Sequence, residues 1–125
     1  MGIIIISDPK DIGVPNICFS LTEKDDNREP EFREQRLNRG FDDSETWSLR
    51  DTIGNFTLPR LKRYREIVQD TIEDNDGFFA EIDKAIIAFE LLVRDNGSFI
   101  LNEEEQKQYV DGMESYHKIF LSLWW

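Results

Sequence analysis

The chain has 125 residues, 39% of them hydrophobic and 12% aromatic, with 26 acids against 15 bases and a net charge of −11. That length suits one domain with a modest core, and nine Phe, three Trp and three Tyr exclude a disordered chain. The charge balance disfavours direct nucleic-acid binding, which rests on cationic contacts to phosphates, and no apolar run approaches the roughly 20 residues that a membrane span requires.

From the N-terminus, residues 3–6, all isoleucine, and residues 17–21 read as two extended pieces separated by Asp8-Pro9 and Gly13-Val14-Pro15. β-Branched residues and the Ile17/Phe19/Leu21 alternation predict a small β-hairpin. The isoleucine run is too short for a signal-peptide core and has no basic leader, so a soluble, cytoplasmic protein is expected. Residues 23–30 form a polar linker. The expected organisation is therefore an N-terminal extended segment or hairpin with linker over 1–30 and a helical domain over 31–125.

Helical signals follow in order. A short helix over 31–38 ends at Gly40, whose missing Cβ suits a left-handed cap. Asp42, Asp43 or Ser44 caps a second helix, roughly 44–55, that Gly54-Asn55 weakens. Pro59 fits the first turn of a third helix, in which Leu61, Tyr64, Val68 and Ile72 recur at helical spacing to about Glu73. After Asp74-Asn75-Asp76-Gly77, Phe79, Ile82, Ile86, Phe89 and Val93 stripe a fourth helix that stops at Asn96-Gly97. Asn102 and Glu105 form a capping-box pattern for a last helix carrying Tyr109, Met113, Tyr116, Phe120 and Leu123 to the chain end. The predicted fold is mainly α: a small bundle of three long helices plus short helices, flanked by the hairpin.

Motifs for chemistry are sparse. Glu114 and His117 have the Glu-x-x-His spacing of helical metal sites, but a di-iron site needs that motif from two helices and the chain has one histidine. Aligning Gly77 with the sixth position of a calcium loop puts Ile72 at the first ligand and Asp83 where a bidentate Glu belongs. Cys18 is the one cysteine, and no spacing places it or a serine beside His117. Asp42, Asp43 and Glu45 read as residues of a helix start rather than as an acid–base pair. Neither metal, cofactor nor catalytic residue is expected, and the chain reads as a non-enzyme.

Two surfaces carry more. Residues 66–105 hold twelve acids against Lys84 and Arg94, including the run Glu103, Glu104, Glu105, which can mimic a phosphate backbone or meet a basic partner. Trp124 and Trp125 suit an interface anchor, because aromatic residues dominate the energetic centres of protein contacts. These five residues are the expected partner-binding set. An alternative set is a nucleotide sponge, with Arg33, Arg36, Arg60 and Arg63 gathering phosphates and Trp47 or Tyr64 stacking on the base. The bland reading of the same arginines is an ion-paired surface, with Lys62 paired to Glu66. A homodimer would support the hairpin and cover the tryptophan pair.

The segments Gly40-Phe41-Asp42-Asp43-Ser44-Glu45-Thr46-Trp47-Ser48-Leu49, Pro59-Arg60-Leu61-Lys62-Arg63, Ile82-Asp83-Lys84, Ala88-Phe89-Glu90 and Leu123-Trp124 together resemble a group of small acidic proteins encoded by tailed bacteriophages. The resemblance spans about residues 31–125. It implies a phage accessory protein acting in the bacterial cytoplasm as a non-enzymatic inhibitor of a host defence or nucleic-acid-handling machine, anti-CRISPR factors included. Its partner would then be a host or defence-system protein. A virion or assembly component is the further expectation that phage origin raises. No site residue is carried over by the resemblance.

Overall fold

A computed structural model describes residues 7–125. The described chain is mainly helical, with five α-helices, three short 3-10 turns and no strand among the described residues. Two compact units divide it, residues 1–52 and residues 53–125.

The first unit contains α1 (Pro9–Ile12), α2 (Glu29–Arg39) and a 3-10 turn over Asp43–Thr46. Asp8 caps α1 by accepting from the Lys10 N–H, Pro9 takes the first turn, and Gly13 closes it with φ 71°. α2 ends where expected, at Gly40 with φ 88°, whose N–H donates to the Arg36 carbonyl.

The predicted hairpin needs correction. Residues 3–6 lie outside the described residues, and residues 17–21 form no strand. The backbone N–H groups of Phe19 and Leu21, which a neighbouring strand would accept, donate instead to Glu45 Oε1 at 2.9 Å and Ser44 Oγ at 2.8 Å. Side chains of the 3-10 turn thus satisfy this extended backbone in place of a sheet partner.

Among the described residues of this unit Phe32 is the buried large apolar side chain, and Asp8, Thr22, Arg36, Asp42, Ser44 and Glu45 are buried polar ones. Burial of so many polar groups is tolerable only if each is hydrogen-bonded. Asp42 and Glu45 satisfy each other's backbone in a capping box, the Asp42 N–H reaching Glu45 Oε2 at 2.7 Å.

The expected second and third helices are one, α3 (Leu49–Thr71), with Pro59 inside it. Proline removes one helical N–H and disfavours an interior position, but tertiary packing overrides it here. Leu61 and Val68 are buried on α3's inner face, and Gly54 lets the helix approach α4 (Phe78–Val93) so closely that a Cβ there would stand 2.7 Å from Val93 Cγ1. Gly54 is therefore a contact residue rather than a terminator.

The second unit packs the remainder of α3 with α4 and α5 (Glu103–Ile119). Its core is Leu61, Val68, Ile82, Ala85, Phe89, Leu92 and Ile119. Asn102 and Glu105 form the expected capping box on α5. The deepest line of α5 is Gly112, Ser115 and Ile119, with the expected stripe residues Tyr109, Met113 and Tyr116 partly buried beside it. A Cβ on Gly112 would lie 2.3 Å from the Lys84 carbonyl oxygen and 2.5 Å from Ala88 Cβ, so glycine is what lets α4 and α5 touch backbone to backbone. No helix among the described residues is long and apolar enough to cross a membrane.

Candidate functional site

The densest cluster of charges surrounds Arg36, which is 1% exposed. Its Nε and Nη2 hold Asp8 bidentately at 2.8 and 3.0 Å, Nη1 donates to Asp42 at 2.6 Å and to Ser20 Oγ at 3.3 Å, and Nη2 also donates to Glu29. A guanidinium has five N–H donors, and these contacts use all five. Arg33 adds a second cation to Asp8 at 3.1 Å and pairs with Asp11, while Lys10 joins Glu29 and Thr22.

Burial alone would raise the carboxyl pKa values of Asp8, Glu29 and Asp42. Hydrogen bonds outweigh it: those from Arg36 for Asp8 and Glu29, and those from Ser20, Ser44 and Arg36 for Asp42, so all three lie below the ordinary range. Donating hydrogen bonds to Asp8 raises the guanidinium pKa despite burial. At neutral pH these three carboxyl groups are ionised and have no proton to donate, and their pairs tie residues 8–22 to α2 and the 3-10 turn.

The arginines of the alternative set make contacts of their own within each unit. Arg36 has no donor left for a phosphate and does not reach solvent. Arg33 pairs with Asp8 and Asp11, and Trp47, half-exposed, meets Phe32 edge-on at 5.9 Å under the Arg28 guanidinium. In the other unit Arg63 pairs with Glu66 at 2.9 Å, and Lys62 pairs with Glu90 at 3.2 Å rather than with Glu66. Arg60 lies 3.8 Å over the Phe56 ring and shares an open groove with Tyr64, Tyr116 and Leu123.

Tyr64 makes a contact with the chain's tail. Its hydroxyl is within 3.2 Å of the Ser122 carbonyl and 3.1 Å of the Trp124 carbonyl, both acceptors. Burial pushes its pKa up, which keeps the proton it donates. This clasp fixes the tail that follows α5, a 3-10 turn over Phe120–Ser122 and then Leu123, Trp124 and Trp125 outside any helix. Trp124 is 75% exposed, Trp125 67% and Leu121 90%.

The two tryptophans border an open groove whose apolar wall is completed by Ile72 and Phe78. Glu73 and Asn75 line its edge, and the same loop carries exposed Asp74 and Asp76. Among the described residues, none forms an ion pair with Glu73, Asp74 or Asp76.

At the start of α5, Glu103 and Glu104 are exposed in the first turn, where the helix dipole favours them. Glu105 is committed internally, to Arg94 and to the Asn102 N–H. Glu114 and His117 lie on exposed surface beside Tyr109, Val110 and Met113, and no group of three or more metal-ligating side chains occurs among the described residues.

Sequence reasoning missed the ionic scaffold and the tyrosine clasp. Asp8 was visible only as a turn residue, and nothing local marks a carboxylate that pairs with an arginine 28 positions away. Comparison of the chain with protein-family models, with curated proteins and with solved structures finds no match in any of the three.

Proposed function

We propose that this chain is a non-enzymatic docking protein that engages a macromolecular partner through its aromatic end, with the acidic surface setting partner choice. The observation that carries the reading is the exposure of Trp124 and Trp125 on a tail that Tyr64 holds in place. Large aromatic side chains fixed in water lose little further freedom on binding and bury much apolar area, which is what an interface anchor requires.

Taken with the resemblance to small phage proteins, the reading is a phage accessory factor that blocks a host defence or nucleic-acid-handling machine. Glu103 and Glu104 supply a second, purely electrostatic contact, which steers encounter more than it adds affinity.

The test is affinity capture from bacterial lysate by the native chain, by Trp124→Ser/Trp125→Ser and by Glu103→Lys/Glu104→Lys. The expected result is one dominant protein held by the native chain, lost with the tryptophans and held more weakly and with less salt dependence by the lysine variant. Identical captured sets for all three proteins would refute the reading, and co-purification with assembled particles would favour a virion component.

A further inference from the structure

We infer that the groove beside Trp124 and Trp125 receives a basic amphipathic segment of a partner protein, with an apolar side chain seated in the groove and lysine or arginine flanking it; this rests on the docking reading above. Two features of the same site define that occupant. Ile72, Phe78 and the two indoles make an apolar wall, and such a wall takes an apolar side chain because removal of both surfaces from water is the driving force.

The rim then selects charge. Glu73 lines the groove, and Asp76 is exposed four residues along the same loop from Ile72. Asp74 accepts the Phe79 N–H as well as adding its charge. Carboxylates without an ion pair on the loop that edges an apolar wall attract cations and repel phosphates, anionic lipid headgroups and acidic segments.

The rim also argues against a second copy of the chain. A twofold pairing across so small a groove brings the same acidic loop of both copies into one interface, where like charges oppose one another. Each copy carries a net charge of −11, which adds longer-range repulsion.

The probe is a tryptophan-free amphipathic peptide of leucine and lysine, about five helical turns long. Two controls accompany it, one with every lysine replaced by glutamate and one with every leucine replaced by serine. Binding is followed by peptide anisotropy and by the protein's own tryptophan emission.

The leucine–lysine peptide is expected to bind and blue-shift that emission. Affinity should fall about tenfold or more in Trp124→Ser/Trp125→Ser, the loss typical of a central anchor. It should fall by a similar factor in Glu73→Lys/Asp76→Asn, which spares the Asp74 cap, and by less than about twofold in Glu103→Lys/Glu104→Lys, whose charges lie on the first turn of α5. Far-UV circular dichroism confirms that each variant folds, and the single Trp125→Ser change replaces the double one if it does not.

Equal binding of the leucine–glutamate peptide, or indifference to Glu73→Lys/Asp76→Asn, overturns the basic partner and leaves the docking reading standing. Equal binding of the serine–lysine peptide means charge attraction without the groove, which also overturns it. A sedimentation dimer that dissociates in the tryptophan variant puts a second copy in the groove, with the same consequence. Failure of all three peptides overturns the inference, and only if capture is also unchanged in the tryptophan variant does the docking reading fall with it.

Discussion

Arg36 shows how one buried side chain can organise several others. In the first unit its guanidinium gathers Asp8, Glu29 and Asp42. Removing the cation leaves Asp42 buried without an ion-pair partner and Asp8 with Arg33 alone, so Arg36→Ala should cost about 3–5 kcal/mol in urea unfolding, the range for breaking a buried pair. Arg36→Lys keeps the charge but offers three donors in place of five, and should recover only part of that loss.

The same residues predict a pH response whose sign follows from the depressed carboxyl values. Asp8, Glu29 and Asp42 have folded-state pKa values below their unfolded ones. Their stabilisation is complete above the unfolded carboxylate values, about 4, and is lost as pH falls through the folded ones. Arg36 stays protonated throughout and contributes no pH dependence in this window. Hydrogen exchange of the Phe19 and Leu21 amides, followed from pH 6 downward, should show protection (corrected for intrinsic rate) that is flat to about pH 4 and then falls. Protection that grows on acidification would contradict the scaffold.

At the scale of elements, caps were legible in the sequence and crossings were not. Gly40, the Asn102–Glu105 box and the Asp42 cap act within a few residues, so composition and spacing reveal them. Pro59 misled because its preference for a first turn is local, whereas the burial of Leu61 and Val68 that carries α3 through it is not. The extended backbone at Phe19 and Leu21 has the right composition for a strand, but its donors were taken by Ser44 and Glu45, more than twenty positions away. The exposed tryptophan pair was legible as a surface candidate, while the groove beside it needed Ile72 from the loop after α3 and Phe78 from α4.

The two buried glycines separate by what a methyl group would meet. At Gly112 it meets the Lys84 backbone carbonyl, which moves only if α4 moves from α5. Gly112→Ala should therefore destabilise by about 2–3 kcal/mol, at the upper end for overpacking. At Gly54 the nearest atoms are side-chain ends of Val93 and Leu92, which can rotate away. Alanine there also gains about 1 kcal/mol of helix propensity, so Gly54→Ala should lie within about 1 kcal/mol of the native chain. Thermal melts of the two variants side by side test the ordering, and a larger loss at Gly54 would contradict the packing described.

For the whole molecule, the stabilising charge cluster and the proposed interaction surface use different residues. The buried ion pairs around Arg36 face inward, and the unpaired acids of the 72–77 loop and of the first turn of α5 face water. That division supports assigning function to the aromatic end rather than to the charge cluster that first draws attention. The three tryptophans make the assignment readable, because Trp47 belongs to one compact unit and Trp124 and Trp125 to the other. The most direct measurement is a two-dimensional nitrogen–proton NMR spectrum of the indole N–H signals, recorded as the leucine–lysine peptide is added. The account predicts that the Trp124 and Trp125 signals move together while Trp47 stays in place; movement of Trp47 alone, or equal shifts at all three, would contradict it.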